Sequence, residues 1–302
     1  MNEINKPTAE QLFKIDTAMK IGHVSLNVSD LQHSLDFYQR ILGFKVVGKT
    51  SGERALLSAA DGAPSSSYLI ELLQAKANSE HDPKRVGLYH FAISLPERKY
   101  LADMLQNLRK KRETVNLDGL SDHLVSESIY LHDPDSNGIE IYRDRPVSEW
   151  KRNGNRIETP ILPLNTIDLL RESTEKGWKA MPPDTMIGHV HLQVSNIARA
   201  TKFYHEILGL NITSTIPSTA FFTASKYTHH HIAANTWLGA DVSPASSESI
   251  GLNHFSIVLS NKAEFQRLID HLSTTGYALI YLAERSGFIH DMDEIRIQIR
   301  YD

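Results

Sequence analysis

The sequence contains no cysteine. Disulfides, thiolate metal ligands and cysteine nucleophiles are therefore excluded, and any metal must be held by histidine, aspartate or glutamate. No apolar run approaches the roughly 18 residues that span a bilayer, and the opening MNEINKPTAEQLFKID lacks a basic-then-apolar leader pattern. These absences predict a cytoplasmic protein with no membrane partner. A long basic run is missing too: the formal net charge is −4 and the pI is near 6.4, which argues against nucleic acid and leaves small molecules as the substrate class. Histidine, in contrast, is plentiful, with fifteen residues, three of them consecutive in YTHHHIAANTW (227–237). At 302 residues and 41% hydrophobic content the chain can fill two cores.

Self-similarity sets the architecture. IGHVSLNVS (21–29) returns as IGHVHLQVS (187–195), and Phe37-Tyr38 with Ile41-Leu42-Gly43 returns as Phe203-Tyr204 with Ile207-Leu208-Gly209. GLYHFAISL (87–95) returns as GLNHFSIVL (251–259), and LHDPDSNGIEIY (131–142) has a degraded echo in IHDMDEIRIQIRY (289–301). The chain is a duplication. Each half is itself doubled, since IGHVSLNV resembles GLYHFAIS and each precedes a helical stretch. In the first unit alternation over 21–28 predicts a strand, and Ser29-Asp30 offers a cap to a helix whose Leu31, Leu35, Tyr38 and Leu42 share one face, stopped by Gly43. Strands near 44–49, 54–59 and 67–74 complete a β-α-β-β-β unit. The second unit runs through a strand at 87–95, a helix at 97–111 and strands near 113–117, 125–132 and 138–143. Units three and four occupy roughly 187–237 and 251–301. Between the halves, a charged, proline-bearing segment with a short helix at 166–174 reads as a connection.

Four such units, opening with GHV and closing with DPDSNGIEIY, resemble the vicinal-oxygen-chelate superfamily, which includes glyoxalase I, bleomycin-binding proteins and extradiol dioxygenases. SDHLVSESIYLHDPDSNGIEIYRDRP and YTHHHIAANTW are similar to stretches of bacterial catechol 2,3-dioxygenase-like proteins. The resemblance implies an α+β fold of four βαβββ units in two tandem glyoxalase-like domains that form open half-barrel cups. Residues 1–18 are then an N-terminal tail, 19–145 the first domain, 146–185 a linker and 186–302 the second domain.

The resemblance further implies one metal held by two opening-strand histidines and a closing-strand carboxylate, Fe(II) or alternatively Mn(II). Opening strands supply His23, His90, His189 and His254. Closing strands supply Glu140 and, in the last unit, the weak ligand Gln298, so His254 reads as a remnant. His90 and Glu140 are thus the expected ligands, with either His23 or His189 as the third. We take His189, because extradiol enzymes carry an acid/base histidine on the fourth strand of the unit that donates the first histidine. His230-His231-Ile232-Ala233 matches that pattern, whereas unit one has YLIELL there. His230 is the expected acid/base, its unperturbed pKa lying near 6.5. Tyr130 and His123 are expected to contact the substrate or its oxygens. If 229–231 is a strand, His229 and His231 share one face and His230 takes the other. The implied reaction is extradiol cleavage of a small aromatic diol by O2, in a monomer or homodimer. The rival set His23, Glu71, His90 and Glu140 would suit a glyoxalase-type isomerase. A metal-free binding protein of the same fold is the other alternative.

Overall fold

The computed structural model describes residues 12–50, 52–64, 67–80, 82, 84–154, 156–246 and 248–301, so most of the expected N-terminal tail lies outside the described residues. Unit one comprises β1 (Lys20–Val28), α1 (Leu31–Asp36), β2 (Lys45–Thr50), β3 (Arg54–Ser58) and β4 (Ile70–Gln74). Unit two comprises β5 (Gly87–Ser94), α2 (Arg98–Lys110), β6 (Asn116–Asp122), β7 (Ser126–His132) and β8 (Gly138–Asp144). The intervening segment holds β9 (Arg152–Asn153), β10 (Arg156–Ile157), β11 (Leu162–Pro163) and α3 (Thr166–Leu170). Unit three follows with β12 (Met186–Gln193), α4 (Ile197–Thr201), β13 (Asn211–Ile216), β14 (Thr219–Thr223) and β15 (Ile232–Asn235). Unit four has β16 (Gly251–Leu259), α5 (Lys262–Thr274), β17 (Ile280–Ala283), β18 (Ser286–His290) and β19 (Arg296–Tyr301).

The fold is α+β, and its two large sheets each combine both halves of the chain. One runs β2-β3-β4-β1-β16-β19-β18-β17, joining units one and four. The other runs β13-β14-β15-β12-β5-β8-β7-β6-β11, joining units two and three. We call them the outer and inner cups. Opening strands meet antiparallel at each seam, β1 against β16 and β5 against β12, while within every unit the closing strand lies parallel to the opening one. Alternation assigns the two faces: Phe91, Ile93, Ile139 and Ile141 join the apolar core, whereas His90 and Glu140 point the other way. Long parallel connections demand helices to cover that core, and α2 and α5 do so with Leu101, Leu105, Leu108, Phe265, Leu268 and Leu272.

The repeated motifs tie the sheets together. Tyr38 in the first helix donates to Asp133 Oδ2 (2.9 Å), and its repeat Tyr204 donates to Asp291 Oδ2 (2.7 Å). Ser29 and Ser195 likewise bind Asp135 and Asp293 through backbone N–H and hydroxyl. Ser29 is therefore not the helix cap; Asp30 alone accepts from the N–H groups of Gln32 and His33. The expected single helix through Leu42 changes after Asp36 into a π-helical turn, Phe37–Ile41, and unit three repeats this over Lys202–Ile207. Widening the turn lets the adjacent residues Phe37 and Tyr38 both face inward. Among the described residues no helix is long and apolar enough to cross a membrane.

Candidate metal centre

The inner cup brings His90, Glu140 and His189 together on three adjacent strands. Ala92 of β5 pairs with Glu140 of β8 on one side and with His189 of β12 on the other, and His90 lies two residues along the same face. The small Ala92 leaves the space between them open. A register shift between Ile187 and His189 marks a bulge at Gly188, where an added Cβ would come within 1.9 Å of the Tyr142 hydroxyl oxygen. The glycine of GHV therefore admits Tyr142, and the bulge re-aims the histidine that follows.

The three side chains are buried, 6%, 3% and 1% exposed for His90, Glu140 and His189. Nε2 of His90 and Nε2 of His189 each lie 3.1 Å from Glu140 Oε2, and 3.4 Å from one another. Glu140 Oε1 accepts from the Ser128 hydroxyl at 2.6 Å, which fixes the carboxylate plane. Burial alone would raise the Glu140 carboxyl, but His189 and His90 beside it hold it well below the usual carboxylate range. Burial pushes His189 down to about 4 despite the pull of Glu140. The set presents one carboxylate and two imidazole Nε2 atoms converging from one side, and its donor chemistry fits a divalent metal with further positions facing a cavity. Buried Nδ1 of His189 has no hydrogen-bond partner among the described residues, so the ring is oriented by its packing and by the Glu140 carboxylate at Nε2.

That cavity has a volume of about 780 Å³ and is reached by all three ligand candidates together with His123, Tyr130, His229 and His230. Nδ1–H of His123 donates to the carbonyl of Pro160 (2.8 Å), so in the neutral ring Nε2 accepts from the Tyr130 hydroxyl (2.8 Å). The His230 ring lies 4.1 Å from that of His189, and its Nδ1 is 2.7 Å from Nδ1 of His229, leaving Nε2 for the cavity. Burial and then the neighbouring His189 and His229 rings lower His230 well below 6.5.

The consecutive histidines do not alternate as a strand. They form a bend before β15, which starts at Ile232, so His229 and His230 both reach the cavity. His231 turns away: its Nδ1 accepts from Ala224 N–H (3.2 Å) and lies 3.1 Å from Thr223 Oγ1, a structural role.

A profile of the Glyoxalase/Bleomycin resistance protein/Dioxygenase superfamily matches residues 20–141 and 186–291. The chain belongs to this superfamily. Within it, the catechol-2,3-dioxygenase of Bacillus subtilis (strain 168) is 37% identical over 265 residues, covering 86% of this chain and 89% of that protein. The lactoylglutathione lyase of Pseudomonas putida is 27% identical over 154 residues, covering 42% of this chain and 86% of that protein. The crystal structure of glyoxalase I from Zea mays shares the fold, with a TM-score of 0.57 at 15% identity over 94% of this chain and 92% of that one.

For this superfamily member the rival four-residue set is not one site. His23 and Glu71 lie in the outer cup with His254, while His90 and Glu140 lie in the inner one. Nor is the segment after residue 145 only a connection. Residues 156–161 wall the inner cavity, and β11 extends the inner sheet along β6. Sequence reasoning also passed over His191, two residues beyond His189 on the same face, whose ring lies 4.9 Å from that of His90 and whose Nε2 accepts from Asn235 Nδ2 (3.0 Å). Its period-two spacing from His189 was the available signal. Glu127 of the VSES stretch faces away from the cavity, where Arg98 and Arg143 bind it at 2.7 and 2.9 Å.

Proposed function

We propose that the protein is an extradiol ring-cleaving dioxygenase, an oxidoreductase that opens small aromatic diols with O2. His90, Glu140 and His189 would hold its divalent metal, Fe(II) or alternatively Mn(II). The observation that carries this reading is the placement of His230 and the His123–Tyr130 pair in one cavity with a buried two-histidine, one-carboxylate set. The relative that is 37% identical over most of the chain, named a catechol-2,3-dioxygenase, supports the substrate class.

When bound, the metal supplies positive charge that favours the ionised diol and a route for electrons from diol to dioxygen. The chain's own residues handle position and protons. Nε2 of neutral His230 takes the proton of a diol hydroxyl and returns it as the ring opens. Tyr130, whose hydroxyl is kept protonated by burial and by Glu140, stays a hydrogen-bond donor throughout. His123, pinned by Pro160, sets the direction of that hydroxyl. Residues 156–161 and Phe221 limit water at the reacting carbons. Both atoms of O2 enter the product, and the carbon–carbon bond beside the diol breaks.

The test is anaerobic reconstitution with Fe(II), followed by addition of catechol and air. A yellow ring-fission product with one O2 consumed per ring is expected. Protein that retains iron yet gives neither colour nor oxygen uptake with catechol and its methyl- and chloro-substituted forms would overturn the reading.

A further inference from the structure

The outer cup repeats the inner one with changes at equivalent positions. On the seam strand β16, Ser256 replaces Ala92 and Asn253 replaces Tyr89; on the closing strand β19, Gln298 replaces Glu140. The carboxylate has moved to Glu71 on β4, where the inner cup has Ala233, and Arg54 on β3 stands where the inner cup has Thr219. Carboxylate and guanidinium therefore occur together, and Arg54 Nε donates to Glu71 Oε1 at 2.5 Å.

His23, Glu71 and His254 are all buried, and their donor atoms lie within 4.8 Å of one another. Both imidazoles are held from behind. Nδ1–H of His254 donates to Asn253 Oδ1 (2.8 Å), which leaves the lone pair on its Nε2. Nδ1 of His23 lies 2.9 Å from Ser256 Oγ, and the two Nε2 atoms face each other at 3.1 Å. Oxygen acceptors behind Nδ1 are the arrangement that aims histidine at a metal. Here the same contacts close without one: the Ser256 hydroxyl donates to His23 Nδ1, and His23 Nε2–H donates to the His254 lone pair. Conversion to a metal-ligating set needs only rotation of the Ser256 hydroxyl and a tautomer change that moves the His23 proton from Nε2 to Nδ1, where it donates to Ser256 Oγ, with no net proton released.

We propose that the outer cup is a latent site for a divalent transition-metal ion, closed by Arg54, whose guanidinium neutralises Glu71 and repels a dication at the His23–His254 pair. Glu140 differs in having a neutral hydroxyl, Ser128, where Glu71 has a cation. The proposal deepens the metal-centre reading and depends on it only for this contrast.

The test is metal stoichiometry by equilibrium dialysis of the full chain against Mn(II) and Co(II). Measurements are made in the wild type and in a His90→Ala/Glu140→Ala background that removes the inner ligands. Without further change the expected content is one ion and none. Arg54→Met or Arg54→Gln adds one ion in each background, with affinity raised at least a hundredfold and visible Co(II) ligand-field bands. Arg54→Lys, which keeps the charge, adds none, and His254→Ala abolishes the gain. A second ion in the wild type that is lost on His254→Ala would overturn the proposal. So would either Arg54 variant, folded by circular dichroism, that gains no ion. Because the double-alanine background reads the outer cup alone, failure of the inner-cup reading would appear separately, as metal unaffected by His90→Ala and Glu140→Ala.

Discussion

The inner and outer cups share a strand plan, a seam and a facing pair of opening-strand histidines, yet their carboxylates have different surroundings. Glu140 accepts from a serine hydroxyl and faces two imidazoles. Glu71 accepts from a guanidinium. Duplication thus copied the ring donors, while the group placed against the carboxylate sets what each cup can hold. The difference also extends to access. Residues 156–161 line the inner cavity, together with His229 and His230 of unit three. Unit one has Ser67 and Tyr68 at the positions that correspond to His229 and His230.

The largest effect should come from exchanging a histidine between the cups. His189→Ala should remove the metal and lower turnover roughly a thousandfold or more, as loss of several kcal/mol of charge stabilisation requires. His23→Ala should keep the metal and change turnover by less than about twofold, within the small scatter expected of a distant site. Metal content and oxygen uptake on the same preparations check both. The reverse pattern would move the active centre to the outer cup.

A second comparison lies within the three histidines. His230→Gln should lower kcat by roughly 10²- to 10⁴-fold with metal content intact, the range for a lost proton-transfer group. His231→Gln should leave kcat within a few fold but destabilise the fold by about 1–3 kcal/mol, because the buried Ala224 N–H loses its acceptor. Stopped-flow kinetics and urea unfolding separate the two. Equal kinetic losses at both positions would mean that the bend does not divide their roles.

Much of this organisation was legible in the sequence because it repeats. The Phe-Tyr and His-Asp pairs recur in both halves because Tyr38 and Tyr204 each reach an aspartate of the neighbouring unit. The α+β class and the four units follow from strand alternation and from the glycine and proline punctuation. Choosing between His23 and His189 was harder. Every unit opens with a histidine at the same strand position, and seam pairing joins strands far apart in sequence, which local patterning does not encode. The alternation considered for residues 229–231 failed for a local reason: the Thr223 hydroxyl at the end of β14 donates to the Ser225 and Thr228 carbonyls, folding the segment into a bend. Arg54 was invisible as a partner of Glu71, since the pair is made only by β3–β4 register.

The smallest effect on turnover, and the finest comparison, concerns the two aspartates that receive the tyrosines. Asp133 and Asp291 have matching contacts, a tyrosine hydroxyl and two backbone N–H groups, but Asp133 also accepts from the side-chain amide of Asn137 at 2.9 Å. Unit four has Ile295 at that place. Burial raises both carboxyls, and Asp291, without the extra donor, is pushed up from 3.8 to about 7. A carboxyl whose pKa is higher in the folded state binds its proton more tightly there than in the unfolded chain. Its contribution to stability is therefore full below about pH 4 and declines as the pH rises toward 7. Ile295→Asn should restore the donor, lower the Asp291 pKa and flatten this decline, even though losing a buried isoleucine lowers stability at every pH. The readout is the slope of unfolding free energy between pH 4 and 7, expected to be steeper in the wild type by a total on the order of a few kcal/mol. Parallel curves would show that Asp291 is ionised in both states and that the two tyrosine–aspartate ties are electrostatically alike.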